Sequence, residues 1–224
     1  MQIIIAGTGK LATELLQSMR VGAFAKVVPW ANRSNEATKS IVVHAGSGRE
    51  LEAIAGYCKS TRSTLIELAT GSEIESMPVA FPVVLCPNTN ILMLKFMAML
   101  EQCGKMFYGH DIKIIESHQA SKTSVPGTAV NIAHSLGMSR TDIQSVRDTS
   151  TQRRQLEIPE ADIDRHAFHQ ILINEGNCSV KLETRVYGDA PYAEGVAKII
   201  EAVSGRELEN RRHSIMEFVK NGWL

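Results

Sequence analysis

Gln2-Ile-Ile-Ile-Ala-Gly-Thr-Gly-Lys-Leu-Ala-Thr-Glu-Leu-Leu-Gln-Ser-Met19 runs from an apolar stretch through a glycine pair into apolar residues at helical spacing. The order is strand, tight turn, helix. Each small residue has a mechanical task in that setting. Gly7 permits the turn, Gly9 lets a pyrophosphate approach the backbone, and Ala12 lets the helix pack closely on the strand. Thr8, Lys10 and Leu11 complete the turn, so residues 7–11 form the first candidate cofactor-binding segment. A purely structural glycine turn is the alternative.

The pattern repeats outward from this start. Apolar runs at residues 25–31, 40–45, 63–69 and 83–86 end in Asn32-Arg33-Ser34, Gly46-Ser-Gly48, Thr70-Gly-Ser72 and Pro87-Asn-Thr-Asn90. Helical spacing lies between them at 50–59 and follows at 91–100. Strands alternating with helices predict an α/β fold with a Rossmann-like, doubly wound parallel sheet. Small and polar residues gather at the strands' carboxyl ends, where such sheets bind ligands. The second strand bears on cofactor choice. An NAD site places an acid there for the ribose hydroxyls, whereas this chain has Asn32, Arg33 and Ser34 and no acid before Glu36. Arg33 can pair with a 2′-phosphate that a carboxylate would repel, so NADP(H) is expected in preference to NAD(H), with a solvated loop arginine as the alternative. Ala69, Thr70, Gly71, Pro87 and Asn88 stand at strand ends suited to a nicotinamide ribose and carboxamide, and ordinary turn chemistry explains them equally. His44, at a strand end, is read as a hydrogen-bonded structural histidine with a cofactor contact as the alternative, and Trp30 as a core residue or a flank for an adenine ring.

Composition shifts after residue 110. Strands are expected at 143–147, 167–174 and 179–187, with a Glu175-Gly-Asn177 turn, and their alternation suggests a mostly antiparallel sheet with one covered face. Residues 148–165 are strongly charged with little periodicity and read as a mobile excursion. Helical spacing returns over 190–203, and a further packed helix is expected in the tail. The chain is therefore divided into a dinucleotide-binding domain, 1–112 plus 191–224, and a smaller α+β domain, 113–190.

Lys plus Arg balance Asp plus Glu at 24 each, which argues against a nucleic-acid or anionic-membrane partner. The four cysteines, Cys58, Cys86, Cys103 and Cys178, show no metal-ligand spacing and sit among apolar neighbours, so they are read as reduced, buried and structural. No metal is expected. The start of the chain lacks a charged leader, and no stretch has bilayer-spanning length, so a cytoplasmic location is expected.

The segment Glu116-Ser-His-Gln-Ala-Ser-Lys-Thr-Ser-Val-Pro-Gly-Thr-Ala129 carries the chemistry. A strand at 111–115 precedes it and a helix at 126–138 follows, which puts His118 and Lys122 on the connecting loop. The amides at Gly127, Thr128 and Ala129 open that helix with no intrahelical acceptor and with the positive end of its dipole. A carboxylate held there would lie near the cationic lysine, and an ordinary surface loop with a solvated histidine and lysine is the alternative. Hydride addition to an electron-poor carbon needs such an acid nearby.

This stretch resembles the signature of the dihydrodipicolinate reductases of bacterial lysine biosynthesis, E-x-H-H-x-x-K-x-D-x-P-S-G-T-A. Glu116, His118, Lys122, Pro126, Gly127, Thr128 and Ala129 match it with one residue deleted near the proline. Ser145-Val-Arg147, His169, Arg185 and Tyr192-Ala-Glu-Gly195 are similar to later parts of the family. The resemblance implies His118 and Lys122 as the catalytic pair, with Lys122 the proton donor, and Gly127 and Thr128 on a substrate carboxylate. It also implies hinge closure between the domains and a homo-oligomer, a tetramer or dimer built through the sheets. Gln119 stands where the signature has its second histidine, and Ser124 or Val125 where it has aspartate, so a substrate contact at Gln119 becomes neutral. The expected activity is NADPH-dependent reduction of dihydrodipicolinate or a related cyclic imine or unsaturated carboxylic acid. The alternative is a catalytically silent NADPH-binding sensor or regulatory protein on the same fold.

Overall fold

The computed structural model describes residues 1–22, 26–34, 38–188 and 192–224; Ala25, Glu36 and Ala190, which the sequence reading used, lie outside them. Two compact units result, one of Met1–Leu94 with Tyr192–Leu224 and the other of Lys95–Pro191. The first crossing falls inside a helix, ahead of the change in composition near residue 110.

The first unit holds a parallel sheet of β1 (Gln2–Ala6), β2 (Lys26–Pro29), β3 (Ile41–His44), β4 (Thr64–Glu67), β5 (Val83–Leu85) and β10 (Arg212–Ser214), in the order β10-β5-β4-β3-β1-β2. β1 is buried on both faces, which explains its unbroken apolar run. Ile3 and Ile5 join the core under α1 (Lys10–Ser18), α6 (Ala193–Ser204) and α7 (Ile215–Lys220), and Ile4 and Ala6 the core under α2 (Leu51–Thr61). Each fully buried Ile contributes roughly 1.5–3 kcal/mol. The chain passes from β1 to β2 on one side and returns to β3 on the other, so the strand order reverses beside β1. Crevices for ligands form at such a reversal.

Two features of this unit carried no clear sequence signal. Glu14, on α1, is buried and accepts the N–H groups of Tyr192 and Ala193 at 3.0 and 3.2 Å, capping α6 from a residue far away in the chain. The tail, expected as one helix, instead adds β10 to the sheet beside β5 before α7 begins. Three residues are too few for alternation to register. Ser214 and Glu217 form a reciprocal capping box that ends the strand and starts the helix.

The second unit carries β7 (Ile143–Val146), β6 (Asp111–His118), β8 (Ala167–Glu175) and β9 (Cys178–Val186) in that spatial order, with β6 and β7 parallel and the other pairs antiparallel. α3 (Ile91–Cys103) leads into it, and α4 (Gly127–Ser135) crosses between β6 and β7. Ile112 and Ile114 on β6, with Ile171 and Ile173 on β8, pack with Ile132, Ala133 and Leu136 at α4.

The opposite face departs from expectation. Residues 148–165 contain α5 (Thr149–Arg154), capped by the Asp148 carboxylate, which accepts the Thr151 amide at 2.7 Å. Leu156, Ile158 and Ile163 then pack with Phe168 and Val146 as a second small core. The stretch read as a mobile excursion is thus an ordered cover. Its apolar residues are spaced to suit an irregular path, so neither helical nor strand periodicity revealed them.

Candidate active site

Alternation along β6 places Ile112, Ile114, Glu116 and His118 on one face. The first two complete the apolar core and the last two begin a polar cluster at the strand's carboxyl end. β6 runs through His118, so this histidine is held by the sheet and only Lys122 lies on the loop. Glu116 is fully buried. Its carboxylate accepts from His118 Nδ1 at 2.8 Å and from the Arg147 fork at 2.6 and 3.2 Å. Burial pushes the Glu116 carboxyl up, but hydrogen bonds from His118, Arg147 and Ser145 and the arginine charge outweigh it and hold the group at about 2. A carboxylate facing Nδ1 fixes that nitrogen as the proton-bearing one and turns Nε2 to the other side of the ring.

The loop itself is pinned from beneath. Arg147 Nε donates to the Lys122 carbonyl at 2.8 Å. Gln152, wholly buried on α5, donates to the His118 carbonyl at 2.8 Å and to Ser117 Oγ at 3.1 Å. Ser117 Oγ in turn meets His166 Nε2 at 2.9 Å. His169 packs edge-on to His118, with ring centroids 5.8 Å apart, and its Nδ1 lies 3.2 Å from Thr184 Oγ1. Burial, and then the neighbouring His118, push His169 down to about 4. Lys122 is half-buried, and its side chain makes no hydrogen bond or ion pair among the described residues. α4 begins at Gly127 after Pro126, with no side-chain cap, close in sequence to Lys122 and Gln119. Of these groups, Gln152 and His166 gave no sequence signal of a site, whereas the period of β6 was sufficient to place Glu116 beside His118.

The first unit gathers the other candidates along one sheet edge, after β1, β2, β4 and β5. Gly7 has φ +135°, and a Cβ there would stand 2.5 Å from the Ala45 carbonyl oxygen, so the turn admits only glycine. Nothing lies within 4 Å of a Cβ at Gly9, which precedes α1 with no side-chain cap. With Thr8 and Lys10 exposed beside it and Leu11 half-buried, that open backbone fits a pyrophosphate. Arg33 stacks on Trp30, its guanidinium carbon 3.7 Å from the ring centroid, and donates to the Trp30 carbonyl at 2.7 Å. Asn32 is exposed next to it, and the Ser34 amide bonds Gln2 Oε1 at 3.2 Å. A cavity of about 490 Å³ lies at the ends of β3 and β4, lined by Gly46, Arg49, Ala69, Thr70 and Gly71 among others. Pro87 and Asn88 are not part of its lining; Asn88 Oδ1 accepts the Asn90 amide at 2.9 Å, a turn role. The described residues thus fit a dinucleotide.

His44 and Glu67 are register partners at the last rung of β3 and β4, both fully buried. Among the cysteines, Cys58 and Cys86 are buried as expected, and burial pushes both thiols up to about 12. Cys103 and Cys178 are exposed, which corrects the reading of all four as core residues. Among the described residues no helix is long and apolar enough to cross a membrane.

The family model for the C-terminus of dihydrodipicolinate reductase matches residues 92–218, more than half of the chain. A chloroplastic 4-hydroxy-tetrahydrodipicolinate reductase 2 of Arabidopsis thaliana is 29% identical over 153 residues, 62% of this chain and 44% of that protein. A probable chloroplastic 4-hydroxy-tetrahydrodipicolinate reductase 2 of Oryza sativa is 35% identical over 104 residues, 43% of this chain and 32% of that protein. The matches span less than half the length of these curated relatives. A dipicolinate-bound dihydrodipicolinate reductase from Paenisporosarcina sp. TG-14 superposes with a TM-score of 0.62 at 15% identity, covering 95% of this chain and 97% of that one, and shares the fold. With the matched region running from α3 through the Glu116 cluster to α7, the chain belongs to the dihydrodipicolinate reductase family.

Proposed function

We infer that this chain is an NADPH-dependent reductase of dihydrodipicolinate or a closely related cyclic imine or unsaturated carboxylic acid, acting in lysine biosynthesis. The observation that carries the reading is the Glu116-centred network, which spends a buried carboxylate, an arginine and a buried glutamine on orienting His118 and the Lys122 backbone. Such investment in one turn suits proton transfer.

In this reading the first unit holds the dinucleotide and the second binds substrate and makes the oligomer contacts. The Gly7–Leu11 turn would take the pyrophosphate, Asn32 and Ser34 the adenosine ribose, and Ala69, Thr70, Gly71, Pro87 and Asn88 the nicotinamide end. Arg33, a cation with no acid beside it among the described residues of its loop, favours a 2′-phosphate. Bound NADPH supplies a hydride to the substrate's double bond. The chain then neutralises the negative charge left behind: Lys122 Nζ delivers the proton, and His118 holds or relays it through Nε2. Gly127 and Thr128 amides orient a carboxylate at the α4 N-terminus, and the Gln119 amide adds a neutral contact. The exposed Cys103 and Cys178 thiols suit a reducing compartment such as the cytoplasm, and the family resemblance implies assembly as a homotetramer or homodimer.

The test is oxidation of NADPH with freshly generated dihydrodipicolinate, beside direct titration of NADPH and NADH. Lys122→Ala is expected to lower kcat about 10²–10⁴-fold while leaving NADPH binding intact. Tighter NADH than NADPH binding would overturn the cofactor preference. Intact NADPH binding with no turnover of dihydrodipicolinate or of any cyclic imino acid in a panel would leave the silent sensor.

A further inference from the structure

The His44–Glu67 pair lies outside the machinery assigned above, and it is a fully buried polar group of the first unit. His44 Nδ1 lies 2.8 Å from both Glu67 oxygens. The same carboxylate accepts the Ala69 amide at 2.9 Å and the Ser72 hydroxyl at 3.0 Å, so it ties the end of β3 to the loop after β4. An acceptor-only carboxylate facing Nδ1 makes Nδ1 the N–H donor. That leaves Nε2, a fully buried polar atom with no hydrogen-bond partner among the described residues. Burying such an atom unpaired costs about 1–3 kcal/mol, and native proteins seldom bear that cost without a use for the atom.

The surroundings indicate the use. His44 is part of the wall of the 490 Å³ cavity, together with Gly46 and the Ala69–Ser72 loop that its glutamate anchors. Gly46 stands against the Nε2 edge of the ring: a Cβ at that position would lie 3.0 Å from Nε2 and 3.2 Å from the Gly7 Cα. A larger residue there would press on Nε2 and crowd the first glycine turn together. Direction along the sheet edge identifies the group that arrives. Arg33 follows β2, on one side of β1, and the cavity follows β3 and β4, on the other. A dinucleotide lying with its pyrophosphate on the Gly7 turn and its adenosine toward Arg33 therefore has its nicotinamide half on the His44 side.

We propose that His44, held by Glu67, is a positioning residue whose Nε2 hydrogen-bonds the carboxamide of the nicotinamide ring and sets which ring substituent the cavity accepts. This rests on the dinucleotide reading above. The carboxamide NH₂ offers the donor that a neutral Nε2 needs, and the bond would fix the rotation of the ring about its glycosidic bond. Glu67 acts through His44, and through the loop it anchors.

The test separates this role from a structural one. In His44→Asn the side-chain amide can still donate to Glu67, as Nδ1 does, while the atom corresponding to Nε2 is gone. Equilibrium titration by intrinsic fluorescence compares NADPH with its reduced 3-acetylpyridine analogue, which keeps the ring carbonyl and lacks the NH₂. The wild-type protein is expected to favour NADPH by roughly tenfold, the scale of one neutral hydrogen bond, and His44→Asn to bring that ratio to within about twofold. An unchanged ratio in a variant of wild-type melting temperature would overturn the proposal. Should His44→Asn fail to fold, ¹⁵N spectra of the wild-type protein decide: the His44 Nε2 resonance must move on saturation with NADPH and stay in place with the analogue. Equal responses to the two cofactors would sink the role of His44 alone, whereas absence of binding by NADPH and NADH alike would sink the dinucleotide reading with it.

Discussion

Two histidine–glutamate pairs, one in each unit, share a 2.8 Å contact through Nδ1 and differ in what else holds the carboxylate. Among the described residues, Glu67 is met by His44 and by two neutral donors, the Ala69 amide and the Ser72 hydroxyl. Glu116 is met by His118 and by the full charge of Arg147. The exposures follow: both members of the first pair are sealed, whereas His118 keeps 14% of its side chain accessible above a sealed glutamate. The Arg147 guanidinium supplies the charge that balances Glu116. His118 can then work as a proton-handling group, and His44, committed to Glu67, as a fixed hydrogen-bonding edge. The lesson is that a histidine–carboxylate pair takes its chemistry from the third partner.

Removing that third partner should break the comparison most sharply. Arg147→Ala leaves a buried carboxylate short of its cation and is expected to destabilise the protein by about 3–5 kcal/mol, measured by chemical denaturation. Recovery of most of that stability in Arg147→Ala, Glu116→Gln is expected, since the stranded charge is gone. If the single variant loses less than about 1 kcal/mol, Arg147 is not the group that balances Glu116.

Acid should act on the second unit next. Glu116 titrates lower in the folded protein, at about 2, than the ordinary carboxylate, so the unfolded chain binds the extra proton between pH 4.5 and 2. Its contribution, on the order of 3 kcal/mol, is fully present above pH 4.5 and is lost as the pH falls through that window. His169, held down near 4, works in the same direction one window higher: its share is complete above pH 6.5 and disappears between 6.5 and 4. Stability measured from pH 7 to 3 should therefore fall in two stages. His169→Gln should flatten the upper stage and leave the lower one, and an unaltered upper stage would remove His169 as its source.

The smallest effect belongs to the neutral donors of the other pair. Ser72→Ala takes one hydroxyl from Glu67 and is expected to cost about 1 kcal/mol in thermal denaturation, a loss well below that of Arg147→Ala. A cost equal to that of the arginine variant would mean that the two carboxylates are held alike.

Legibility in the sequence followed the range of the physics involved. Residues 2–19 spelled out strand, turn and helix because a buried parallel strand needs a continuous apolar run and the turn after it needs glycine at positive φ. His118 and Lys122 were readable for a similar reason, being four residues apart on one segment. The ordered cover at 148–165 was not, because its residues pack along an irregular path and Gln152 reaches the His118 carbonyl and the Ser117 hydroxyl, more than thirty residues away. Nor was β10, whose three residues gain strand conformation only from pairing with β5.

The linear chain by itself therefore determined the α/β alternation, the glycine turn, the arginine that ends the second strand region, and the chemical character of the Glu116–Ala129 segment. Those depend on contacts between near neighbours and on backbone conformations that few residues can adopt. Tertiary structure alone decided that Glu67 meets His44, what neutralises each carboxylate, and which nitrogen is left over. Hydrogen bonds and charge pairs across many residues of separation depend on strand register and packing, and no local periodicity encodes that.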